Sequence, residues 1–88
     1  MALYRLRESA MMAPMGNEVV LLDSLNGHYF SLDRVGMRML NLALSEIDAS
    51  TVKEKLLVQY DASGDQLAED FGALMSELQT VGLVERDY

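Results

Sequence analysis

The sequence predicts an α+β fold in which three short strands are followed along the chain by three helices. Three observations carry that expectation. Before residue 33, apolar residues either alternate with charges or form a short β-branched run, as strands require. Asn26-Gly27 falls between two such stretches, where a hairpin turn is expected. After Asp33 the apolar spacing changes to three and four, the period of a helix with one buried face.

Residues 3 to 8 alternate apolar and charged and are the expected first strand of a meander. Residues 11 to 17 hold the only proline, Pro14, and are expected to form a connecting loop. Met11, Met12 and Met15 either close over one end of the core or make an adaptable surface; the gap-filling character of methionine favours the lid. Residues 18 to 23 are the second strand, and residues 28 to 32 return antiparallel as the third. A two-residue turn at Asn26-Gly27 pairs Leu25 with His28 and Asp23 with Phe30. A bulge would shift that pairing by one residue and swap the faces, so the pattern leaves open whether Tyr29 or Phe30 points inward.

Asp33 stands where an N-cap belongs, and a helix is expected from there to about residue 45. Met37, Leu40, Leu44 and Ile47 form its expected inner stripe. Gly36 in its first turn costs helix propensity, which points to a close approach by another backbone. Ser50 is the expected cap of a second helix with Val52, Leu56, Leu57 and Tyr60 on its inner side. A third helix spans about 64 to 80, with Leu67, Phe71, Leu74, Leu78 and Val81 as its buried stripe. Gly82 ends it as a C′ glycine, and Leu83-Val84 fold back onto the core.

The 88 residues carry 7 basic and 14 acidic side chains, a net charge of −7. Nucleic-acid affinity rests mainly on neutralising phosphates with Lys and Arg, so a nucleic-acid partner is disfavoured despite the small group Arg5, Arg7, Arg34 and Arg38. There is no cysteine, which removes disulfides, thiol chemistry and thiolate zinc sites. The first residues carry charges where a signal peptide needs an apolar run, and no apolar stretch reaches membrane-spanning length. The sequence therefore predicts a soluble, cytoplasmic protein with no membrane partner.

Catalysis has little to work with. His28 is the only histidine, whereas a metal site needs three or four donors, so no metal is expected. Ser24, Ser31 and Ser45 would all depend on that one histidine for a relay. Asp65, Glu69, Asp70 and Glu77 share the third helix, but an acidic helix is usually a solvated face. No phosphate loop or dinucleotide fingerprint is present, and no cofactor is expected. What remains is an edge. In a meander the third strand has a free side, and residues 28 to 32 carry no Lys, Pro or inward charge to blunt it. Either a helix covers that edge, or the strand is too short for it to matter, or an extended peptide adds to it as a further strand.

The spaced set Val20-Leu21-Leu22-Asp23, Gly27, Tyr29-Phe30, Leu32-Asp33 and Val35-Gly36 resembles the PqqD-like family of leader-peptide-binding domains, the RiPP recognition elements. Asp70, a following leucine and Gly82-Leu83 match the family's C-terminal pattern. The likeness covers about residues 17 to 85, and it is greatest to the standalone leader-binding proteins of lasso-peptide pathways. Asp33 stands where relatives often carry Asn, which leaves the helix cap intact.

The resemblance implies a winged helix-turn-helix-like domain over residues 1 to 88, not an enzyme, with a three-stranded sheet against three helices. It implies that the leader of a ribosomally made precursor pairs with His28, Tyr29, Phe30, Ser31 and Leu32 and lies against the third helix. One flank of that helix carries Gln66, Asp70, Ala73 and Glu77, and the other Ala68, Gly72, Met75 and Gln79. The matching Asp70 favours the first, with Leu67 and Leu74 at the pocket base. The implied partners are a separate leader peptidase, usually a cysteine protease, and a macrolactam-forming synthetase, with the chain itself a monomer. The competing expectations are a winged-helix DNA-binding regulator, which would need a basic recognition helix, and a small domain that dimerises through its own edge strands.

Overall fold

The structure, a computed structural model, describes residues 1 to 87. Its elements in order are β1 (Tyr4–Leu6), β2 (Ala10–Met15), β3 (Glu18–Asp23), β4 (Tyr29–Leu32), α1 (Arg34–Ser45), α2 (Ala49–Gln59), α3 (Gly64–Thr80) and β5 (Val84–Arg86). The expected three-stranded antiparallel sheet followed by three helices is present, in the order β2-β3-β4, and winged helix-turn-helix is a loose description of it. Its first member differs from the one expected.

Residues 3 to 8 do not join that sheet. Tyr4–Leu6 pairs antiparallel with Val84–Arg86 at the far end of the chain, with Tyr4 opposite Arg86 and Leu6 opposite Val84. The expected loop at 11 to 17 is instead mostly strand β2, paired with β3 from Ala10↔Asp23 to Met15↔Glu18. Gly16 and Asn17 make the two-residue turn between them, with Gly16 at φ 67° in the place where a type II′ turn needs glycine. Pro14 misled the sequence reading because it is compatible with a strand here. The closing pair Met15↔Glu18 is hydrogen-bonded in such a hairpin, so alternation turns the nitrogen of Pro14 to the free side of β2, where no donor is needed. Met11, Met12 and Met15 are all exposed, so they form no lid over the core.

The β3–β4 connection also departs from expectation. Asn26-Gly27 is not a two-residue turn but the second half of a four-residue loop, 24 to 27. Leu22 faces Tyr29 and Leu21 faces Phe30, one step from the expected pairing of Asp23 with Phe30. Buried Asp23 organises the loop. Its carboxylate accepts from Asn26 Nδ2 at 2.8 Å and from the backbone N–H of Leu25 at 3.0 Å, and its carbonyl accepts from Gly27 N at 2.8 Å. Such a short acidic side chain bonding to the backbone ahead of it competes well with a tight turn.

The three helices lie where expected, with corrected caps and faces. Asp33 caps α1 by accepting from Gly36 N at 2.8 Å. Asp48, not Ser50, caps α2, accepting from Thr51 N at 2.8 Å, while Ser50 Oγ donates to the same carboxylate. The α1 stripe is wider and rotated. Leu40 is buried with Met39, Leu42 and Ala43, Met37 and Leu44 are half-buried, and Ile47 lies exposed beyond the helix end. β1 supplies the additional cover: Leu3 N donates to Glu46 O at 2.8 Å, bringing the start of the chain against the end of α1. The close neighbours at Gly36 are the Leu32 and Asp33 side chains, at 3.2 and 3.3 Å from where a Cβ would sit, rather than another backbone.

α3 ends in a complete Schellman motif, with Leu83 N bonded to Leu78 O at 2.9 Å and Gly82 N to Gln79 O at 3.1 Å, Gly82 having φ 80°. That reversal sends buried Leu83 and Val84 into the core, as expected, and starts β5. The core joins Leu21 and Leu32 of the sheet to Leu40, Leu56, Met75, Leu78 and Leu83.

Candidate functional site

β4 is an edge strand, and its backbone polarity can be assigned. Asp23 N donates to His28 O at 2.7 Å, so this pair belongs to the hydrogen-bonded set of the antiparallel ladder. Alternation places Leu21↔Phe30 and Val19↔Leu32 in the same set. The N–H and C=O of Phe30 and Leu32 therefore face β3, while those of Tyr29 and Ser31 face the open side. Sheet order gives β4 no neighbour there among the described residues. Two donors and two acceptors thus face the open side of the sheet.

The same alternation sorts the side chains. Leu32 is buried and Phe30 half-buried against the core, whereas Tyr29 is 72% exposed on the outer face beside Met11 and Leu22. The inward aromatic is Phe30, which the sequence left open. His28 is exposed and precedes the strand by one residue. Ser31 is exposed.

On α3, Leu67, Phe71, Met75 and Leu78 are buried, and Leu74 and Val81 are half-buried. Met75 is wholly buried, so it belongs to the core and not to a free flank. Gly64, on the same helical face as Met75, lies against Lys53 and Leu57 of α2, with 3.4 Å from Lys53 Cδ to where its Cβ would be. Ala68, Gly72 and Gln79, on the flank nearer Gly64, are exposed as well, and a Cβ at Gly72 would meet nothing within 4 Å. The flank of Gln66, Asp70, Ala73 and Glu77 is turned away from Gly64, and all four are exposed. Asp70 is held by its own helix, accepting from Gln66 Nε2 at 2.8 Å. Phe30 and Leu74 are both half-buried apolar side chains at the boundary of one core, the sheet's contribution and the helix's. Sequence reasoning missed the side-chain sorting of β4 because it rests on the four-residue loop.

Two cavities open elsewhere on the surface. One is bounded by Arg5, Arg7, Leu25 and Glu85, the other by the β2–β3 turn, α1 and the end of α2; neither includes a residue of β4 or α3. No group of three or more His, Cys, Asp or Glu able to hold a metal occurs among the described residues, and no helix there is long and apolar enough to cross a membrane.

A comparison with curated proteins finds no match. Two solved structures match closely in shape. One is described as lasso peptide synthetase B1 complexed with the leader peptide: 25% identity, a TM-score of 0.86, and coverage of 96% of this chain and 99% of that one. The other is TbiB1 in complex with the TbiA(beta) leader peptide: 25% identity, a TM-score of 0.80, and coverage of 96% of each chain. Residues 18–84 match the family model of coenzyme PQQ synthesis protein D (PqqD), from the first residue of β3 through the Schellman turn. With most of its length inside that match, this chain belongs to the PqqD family.

Proposed function

We propose that this chain binds the leader segment of a ribosomally synthesised precursor, that of a lasso peptide, by adding it as a further strand to β4. The observation that carries this is the open β4 edge, with its four backbone groups on Tyr29 and Ser31, in a fold shared over nearly the whole chain with two leader-bound proteins. Backbone pairing supplies affinity and side-chain contacts supply specificity. In an antiparallel addition, the leader residue opposite Phe30 turns its side chain to the core side, toward Phe30, Leu67 and Leu74. His28 and Leu32 bracket the strand. Asp70 and Ala73 line the helix side, a choice that rests on Asp70 matching the family's C-terminal pattern.

The role is non-catalytic. The bound leader is presented to a separate cysteine-protease leader peptidase and to a macrolactam-forming synthetase, in the cytoplasm and with the chain monomeric. No nucleic acid, membrane, metal or cofactor takes part. Calorimetric titration with the leader segment of a lasso-peptide precursor tests it. The expected result is one site per chain, weakened by Leu74→Ala and by Asp70→Ala. Absence of binding, or binding indifferent to both substitutions and to strand-edge variants, sinks it.

A further inference from the structure

Two guanidinium groups of α1 stand without a carboxylate partner, and both line one cavity. Ion pairs among the described residues take up Arg5, Arg7 and Lys55, whereas Arg34 and Arg38 have no carboxylate oxygen within 4 Å. The cavity, of about 680 Å³, lies between the β2–β3 hairpin, α1 and the end of α2, with Val19, Met37 and Tyr60 among its apolar walls. Arg34 and Arg38 are the two basic residues that line it, in a chain of net charge −7. Arg38 is also oriented in advance: its Nε donates to Gln59 Oε1 at 3.1 Å, which leaves the terminal nitrogens to reach a ligand.

Two carboxylates share the rim. Asp33 is already engaged as the α1 cap, bonded to Gly36 N at 2.8 Å. Glu18 has no partner there, and it opposes an anion.

We propose that this cavity is a second docking site, for an extended segment of a partner protein in which one large aliphatic residue lies between two acidic ones. Arg34 and Arg38, one turn apart, are separated by about 6 Å along the helix axis. Alternate side chains of an extended peptide repeat at about 6.6 Å on one side, so two carboxylates flanking a single residue fit that spacing. The intervening side chain turns the opposite way, into the apolar part of the cavity. Because the cavity shares no residue with β4 or α3, this site stands or falls separately from leader binding.

Amide chemical-shift titration of the full chain with acetyl-Glu-Leu-Glu-amide tests it, against acetyl-Gln-Leu-Gln-amide and acetyl-Lys-Leu-Lys-amide. The acidic peptide is expected to shift Val19, Val35 and Asn41 and to bind about tenfold tighter than the neutral one, as charge-assisted contacts imply. Arg34→Glu with Arg38→Glu should abolish that preference and favour the basic peptide. Glu18→Gln should tighten the acidic peptide, and it carries the test if the double variant does not fold. Equal binding of the three peptides, shifts confined to other surfaces, or an unchanged affinity in Glu18→Gln overturns the proposal.

Discussion

Phe71 sits at the middle of the α3 stripe, 8% exposed, with its ring edge-to-face on Tyr4 at 6.5 Å between centroids. Truncation to Ala removes the buried ring and its contact with Tyr4 and is expected to cost about 3–5 kcal/mol, a large part of the roughly 5–15 kcal/mol available to a small domain. Chemical denaturation measures this, and a change below about 1 kcal/mol would show that the site collapses without loss. Asp23 makes a pH-dependent contribution. The Asn26 side-chain amide, followed by the backbone N–H groups of Leu25 and Asn26, holds its carboxyl below the ordinary 3.8, against the opposing effect of burial. A carboxyl depressed in the folded state stabilises above its unfolded pKa, and that stabilisation is lost as pH falls through the folded value. The denaturation midpoint of the parent should therefore drop below about pH 4, and Asp23→Asn should remove that share of the acid slope while lowering stability at pH 7. Identical acid slopes would show that the carboxylate is not the titrating group. Residues such as Asp33 and Gly82 were legible because a cap and a C′ glycine have local chemistry that nothing distant alters. Met75 was not, because only the packing of α2 decides which side of α3 is covered.

At the scale of elements, β4 separates two kinds of backbone donor that proline can remove one at a time. Ser31→Pro deletes an N–H on the open side and leaves the β3 ladder intact. It should stay folded by circular dichroism while weakening leader binding about three- to tenfold, the worth of one hydrogen bond at about 0.5–1.5 kcal/mol. Phe30→Pro deletes a ladder donor and should unfold the hairpin. If Ser31→Pro binds the leader as tightly as the parent, strand addition to β4 is wrong. The helices were readable from spacing alone, since each has a stripe and a cap of its own. The strands were readable in kind but not in partnership. Gly16-Asn17 carries a hairpin signal as explicit as Asn26-Gly27, but Pro14 beside it argued for a loop. Asn26-Gly27 looked like the tighter turn, yet Asp23 provides the hydrogen bonds that favour a longer one. The candidate edge at residues 28 to 32 was located to within a residue; its inward side chains waited on that register.

For the whole molecule, charge decides against the reading that the fold might otherwise invite. α3 presents Asp65, Glu69, Asp70 and Glu77 to solvent, all exposed and none balanced by a basic residue on that helix. With net charge −7 the counterion-release contribution to duplex binding is nearly absent, so no gel shift is expected at physiological salt. A saturating, steeply salt-dependent shift at submicromolar protein would reverse the functional assignment. The pairing of β1 with β5 acts at the same scale. Tyr4 meets Arg86, and Ala2 N donates to Asp87 Oδ2 at 2.8 Å, so residues more than eighty apart in sequence close one ribbon. Closure of so long a loop costs more entropy than the local hairpins and helix contacts, so it is expected to come late on the folding path. Native-state hydrogen exchange should accordingly find Arg5 and Glu85 opening together, as one cooperative unit, at lower free energy than Leu21 and Leu40. The ribbon would then be a latch that can release without disturbing the sheet that carries β4.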